Sequence, residues 1–83
     1  MLRLCAGHES AERVELLLSL TSIRSESVRA ALCDHLVKGH AVAQAAALND
    51  AQDANVRRGL EVVEAVADKV ERIKEIDWAA RCG

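Results

Sequence analysis

The chain has 83 residues, 51% of them apolar, with eleven Lys or Arg against thirteen Asp or Glu and a net charge of -2. This length allows one small domain with a modest core; with no Phe, no Tyr and a single Trp, that core has to be built from Leu, Val, Ile and Ala on closely approaching helices. The lack of Pro, the four Gly and the runs of Ala, Leu, Val and Glu favour helix and leave few hairpin turns, which excludes a β fold.

The expected architecture is therefore all-α: a small helical domain over 10–78, between a flexible lead over 1–9 and a loose tail over 79–83. No apolar run reaches the length that crosses a bilayer, and "MLRLCAGHESAERVE" turns charged too early for a signal peptide, so a cytoplasmic location is expected. Cys5, Cys33 and Cys82 are odd in number and far apart, which argues against a disulfide framework. With His8, His35 and His40 they form no ligand spacing for zinc. Cys33 reads as a small buried apolar residue and the other two as parts of loose ends.

In chain order, Ser10 is the expected N-cap of a first helix from Ala11 to Leu20, with Glu12 in its first turn and Val14, Leu17, Leu18 and Leu20 on its inner side. Ser25 then caps a second helix that opens with Glu26. Val28, Ala31, Leu32, His35 and Leu36 recur along it at steps of three and four, and Gly39 supplies a left-handed stop. "AVAQAAALND" is a third helix of about two turns ended by Asn49 or Asp50, both of which tolerate the left-handed conformation. Asp50 or Asp53 caps a long fourth helix running to about Ile76.

The apolar positions of that helix, Val56, Leu60, Val63, Ala67 and Val70, follow a four-three step beside a less pure stripe of Val62, Val66, Lys69 and Ile73. Two readings fit: an amphipathic core helix, or a helix shared with a second subunit. In the shared reading, the oligomer interface comprises Val63, Val66, Val70, Ile73 and Trp78. Trp78 either closes the open end of the core or lies in the subunit contact.

A short helix, a tight turn and a second helix, backed by an earlier helix, form the layout of a helix-turn-helix unit. Ala45 and Ala46 let the two helices cross closely, Asn49 and Asp50 make the turn, and Ala51 and Val56 pack inward. No glycine-rich phosphate loop and no Ser/His/Asp set is present, so no catalytic residue is expected. His35 reads as a partly buried histidine with a satisfied hydrogen bond.

From Val14 to Leu60 the chain resembles the PapB-type transcriptional regulators of fimbrial and adhesin operons. The likeness is carried by the ungapped run Leu17, Ile23, Ser25, Glu26, Val28, Ala31, Leu32, Asp34, Leu36, Val37 and Gly39. It implies a small helical protein that binds double-stranded, AT-rich DNA as a homodimer or higher oligomer, with no cofactor, no metal and no small-molecule substrate. Carried over residue by residue, it places Gln52, Asp53, Ala54, Asn55, Arg57 and Arg58 on the DNA-contacting segment and Val56 and Leu60 on its buried side. The DNA-binding set expected is Gln52, Asn55, Arg57 and Arg58, supported by Arg24, Arg29 and Lys38.

The chain departs from that family after the glycine. Where the family usually has a Ser or Thr cap followed by basic residues, "HAVAQ" puts Ala41, which cannot cap by its side chain. Asp50 and Asp53 would lie close to DNA. Residues 1–60 hold seven Lys or Arg and seven Asp or Glu, so DNA affinity requires the cations to gather on one face or to add across subunits. The rival reading is a protein-binding module that keeps the scaffold and forms mixed oligomers with a related regulator.

Overall fold

The protein, described here by a computed structural model, is resolved in detail over residues 7–82. The lead over 1–6, with Cys5, lies outside the described residues, as do Gly83 and the side chain of Cys82. Four helices follow one another: α1 (Ala11–Ser19), α2 (Glu26–Leu36), α3 (Val42–Leu48) and α4 (Asp53–Cys82), with no strand among the described residues. None of these helices is long and apolar enough to cross a membrane.

Each boundary has a local cause. The Ser10 hydroxyl accepts the Arg13 amide at 3.1 Å, and the Ser25 hydroxyl accepts that of Val28 at 3.3 Å. Such caps satisfy amides that the first turn leaves without partners, and each contributes about 1 kcal/mol. α1 ends at Ser19 because the amides of Leu20 and Thr21 turn back to the carbonyls of Leu17 and Leu18. Leu20 therefore sits past the helix and is 63% exposed, against the expectation that it joins the inner stripe.

α2 closes as its spacing predicts, with Gly39 at φ 83° and its amide on the His35 carbonyl. Backbone bonds from Gly7 to His35 and from Glu9 to Leu36, at 3.2 and 3.1 Å, tie the segment before α1 to the end of α2. Residues 7–9 are thus docked, where the sequence suggested a flexible lead. They approach so closely that a Cβ on Gly7 would stand 3.1 Å from the Gly39 Cα. Both positions have positive φ, the conformation that glycine adopts without strain.

The core comprises Val14, Leu17 and Leu18 from α1, Val28, Ala31, Leu32 and Leu36 from α2, Ala45 and Ala46 from α3, and Val56, Val63 and Ala67 from α4. α2 packs on α3 and α4, and α1 lies against α2 and α4. Small residues set the spacing: a Cβ on buried Gly59 would come within 3.1 Å of both Leu32 Cδ1 and Val28 Cγ1. α4 approaches α2 this closely because Gly59 has no side chain.

α4 has 30 residues, a length of about 45 Å at about 1.5 Å per residue, and it accounts for a molecule measuring 49 × 23 × 22 Å. It continues beyond Ile76 to Cys82, where the sequence suggested a stop and a loose tail. Ala79, Ala80 and Arg81 offer no breaker, and Arg81 in the last turn suits the helix dipole. From Arg72 to Arg81 every residue is exposed. Trp78 is 69% exposed and does not close the core.

Candidate nucleic-acid interface

The α3–turn–α4 unit forms because its turn is chemically specified. Asn49 ends α3, and Asp50 takes φ 55°, which Asp tolerates through local hydrogen bonding. The Ala51 amide then returns to the Ala46 carbonyl at 2.9 Å. Asn49 also fixes the unit on α2, since its Nδ2 donates at 2.8 Å to Asp34 Oδ2 and at 2.8 Å to the Ala45 carbonyl. That bond, followed by the charges of Lys38 and His40, holds the Asp34 carboxyl below its ordinary range, although partial burial opposes the shift.

At its other end, α3 starts without a side-chain cap at Ala41. Nearby, His35 Nδ1–H donates to the His40 carbonyl at 2.7 Å. This is the satisfied, half-buried histidine that the sequence suggests.

α4 starts at Asp53, with the amides of Asn55 and Val56 bonded to the Gln52 carbonyl. Neither Asp50 nor Asp53 precedes the first turn as its cap: Asp50 belongs to the turn, and Asp53 is the first helical residue, where its charge meets the positive end of the dipole. Val56 is fully buried, Ala51 and Leu60 are half-buried against the core, and Gln52, Asn55, Arg57 and Arg58 are exposed. The expected division of this segment into an inner and an outer side is therefore present, with Leu60 nearer the boundary than a fully buried position.

The cations differ in how free they are. Arg57 Nε is held by the Asp53 carboxylate one turn back. Arg29 donates to the Ile23 carbonyl at 2.9 Å, and Lys38 pairs with Asp34 at 3.5 Å. Arg24 and Arg58 are exposed, and among the described residues they make neither a hydrogen bond nor an ion pair. Because Ile23 and Val28 lie against Gly59, the start of α2 with Arg24 and Arg29 adjoins the turn of α4 that carries Arg57 and Arg58. Lys38 belongs to the other end of α2, beside Asp34 and the Asn49 turn.

Two contacts of these residues were not expected from the sequence. One is the Asp53–Arg57 pair, whose i,i+4 spacing was a visible signal. The other is the Asn49–Asp34 bond, which joins residues fifteen apart and has no local signature.

The residues expected at an oligomer interface also separate. Val63 is 0% exposed: it lies inside the domain's own core and is not available to a second subunit, because the four-three stripe it belongs to turns inward onto α1 and α2. Val66 and Val70 are half-buried, whereas Ile73 and Trp78 are exposed. Cys33 is a free, half-buried thiol; burial, reinforced by Glu15 and Asp34, raises its pKa and keeps it protonated. Among the described residues no group of three His, Cys, Asp or Glu side chains converges in a way that could hold a metal ion.

No protein-family model matches the chain, and no curated protein does. Among solved structures, the chain is similar to the crystal structure of E. coli FocB: 26% of residues are identical, the match covers 88% of this chain and 83% of that one, and the TM-score is 0.79. The all-α, four-helix architecture predicted from the sequence is shared with that protein.

Proposed function

We propose that the chain is a DNA-binding transcriptional regulator of fimbrial or adhesin genes, acting in the cytoplasm as an oligomer on AT-rich operator DNA. The observation that carries the reading is the α3–turn–α4 unit, which turns Gln52, Asn55, Arg57 and Arg58 outward over a buried Val56. The likeness to FocB, a PapB-family fimbrial regulator, supports the same assignment. Regulation is by occupancy: subunits side by side on an operator help or block polymerase according to position, and no reaction chemistry is required.

Arg58 and Arg24 are the first candidates for phosphate contact, because neither has to leave a partner. Arg57 has to exchange the Asp53 carboxylate for a phosphate, which weakens a single unit. Several units on one duplex offset that weakness through multivalency.

One observation favours a second reading. Arg29, Lys38 and Arg57 are all engaged within the protein, as in a scaffold that has moved from DNA to a protein partner, for example in mixed oligomers with a related regulator. Fluorescence anisotropy of labelled AT-rich and GC-rich duplexes separates the two. Saturable binding that favours the AT-rich duplex supports the regulator, and absence of binding at low salt by folded protein rejects it.

A further inference from the structure

Charge is unevenly distributed around α4. At about 3.6 residues per turn, Asp53, Glu61, Glu64, Asp68, Glu71 and Glu75 fall along one side of the helix. A neighbouring strip runs through Ala54, Arg58, Val62, Ala65, Lys69 and Arg72, each three or four residues after the last. Every residue of this strip is exposed, and none is acidic.

Lys69 is the least restrained cation of the strip beyond Arg58. The residues one turn away from it are Ala65, Val66, Arg72 and Ile73, so the helix offers it no carboxylate. Among the described residues it makes neither a hydrogen bond nor an ion pair. Lys74, by contrast, is held by Glu71 at 3.5 Å, and Lys38 by Asp34 at 3.5 Å. Lys69 stands about three turns, or about 16 Å, beyond Arg58. Between them, Val62 and Ala65 are short side chains that do not hold a flat or rod-like partner away from the helix. Arg24, at the start of α2, adjoins the Arg58 end, because Ile23 and Val28 lie against Gly59.

We propose that Lys69 is a second phosphate anchor of the DNA interface, so that the duplex lies along this strip and the acidic side of α4 faces away from it. The inference rests on the DNA-binding reading above and extends its contact surface down the helix. Each DNA strand presents one phosphate per about 3.4 Å of axis, so cations about 16 Å apart meet different phosphates and release counterions separately. This meets the requirement set by the balanced charge of residues 1–60: Arg24, Arg58 and Lys69 gather on one continuous surface without an acid among them. Arg72 borders the strip but has Asp68 and Glu75 one turn away, so it contributes less than Lys69.

Anisotropy of one labelled AT-rich duplex across a salt series tests the assignment, with circular dichroism of each variant as the check on folding. Lys69→Gln should bind several-fold more weakly, with a slope of log affinity against log salt shallower by about 0.9, and Lys69→Arg should retain both. Lys74→Gln makes the same change in net charge at a cation held by Glu71, and should leave the slope unchanged. Ala65→Glu puts an acid four residues before Lys69, a pairing that favours helix. It should keep full helix content and yet bind DNA about fivefold or more weakly, as a unit charge near a phosphate does.

No binding by the unsubstituted protein overturns the DNA reading and this site with it. Binding that falls with Arg57→Ala/Arg58→Ala but not with Lys69→Gln or Ala65→Glu overturns this site alone and leaves the strip to a protein partner. Equal losses from Lys69→Gln and Lys74→Gln overturn it as well, since they would report net charge and not a contact.

Discussion

Replacing Asp53 with Asn changes one charge at the start of α4 while keeping the size of the side chain, and under the proposed function it has two opposing consequences. Stability falls, since the acid at the N-terminus of α4 is worth about 0.3–1 kcal/mol through the helix dipole and its pair with Arg57 about 0.3–0.5 kcal/mol as an exposed i,i+4 contact. With Arg57 64% and Asp53 43% exposed at the side chain, solvent screening keeps the total loss near 1 kcal/mol. Under the proposed function, DNA binding should gain twice, because a negative charge leaves the proposed contacting segment and Arg57 is released to reach a phosphate.

One further phosphate contact steepens the slope of log affinity against log salt by about 0.9, and removal of a unit charge near a phosphate is worth about 1 kcal/mol in water, roughly fivefold in affinity. Anisotropy titrations of an AT-rich duplex at several salt concentrations, with urea unfolding of the same protein, read both effects. A variant that loses stability as stated but binds DNA with unchanged affinity and salt slope would refute the argument that Asp53 restrains Arg57.

Other substitutions probe the scaffold. Leu32→Ala removes a fully buried side chain and should cost about 2–5 kcal/mol in urea unfolding, whereas Leu60→Ala, at a half-buried position, should cost clearly less. Gly59→Val places new carbons where Leu32 and Val28 already stand, and should destabilise by about 1–3 kcal/mol in the same assay despite the better helix propensity. Asp34 has a depressed carboxyl, so its bond to Asn49 contributes stability that is present above the ordinary carboxylate pKa of about 3.9 and lost as pH falls through the lowered value. Asp34→Asn should therefore be less stable than the unsubstituted protein at pH 6, with the difference shrinking at pH 3.

Much of the fold was legible because its signals are local. Ser10 and Ser25 cap helices, Gly39 stops one, and the three- and four-residue steps of Val28, Ala31, Leu32 and Leu36 mark an inner face. The same periodicity misled at Val63, since a stripe that fits a subunit contact fits a core equally well, and the position of α1 decides between them. Leu20 could not be placed without knowing that α1 ends at Ser19.

The outer side of the α4 segment came from the resemblance, which implied Gln52, Asn55, Arg57 and Arg58 on the contacting side and Val56 on the buried one. How available each cation is was not legible, because it depends on neighbours in space: Ile23 for Arg29 and Asp34 for Lys38. The apolar groove between α1 and α4, lined by Leu16, Leu17, Leu20 and Val70, left no trace in the sequence. Its floor comes from two segments about fifty residues apart.

The central claim, that the start of α4 contacts DNA, is tested most directly by comparing the unsubstituted protein with Arg57→Ala/Arg58→Ala on one AT-rich duplex across a salt series. The account predicts weaker binding by the double variant and a salt slope shallower by about 1–2, as expected for one or two lost phosphate contacts, with helix content unchanged by circular dichroism. Equal affinity and equal slope for the two proteins would contradict it.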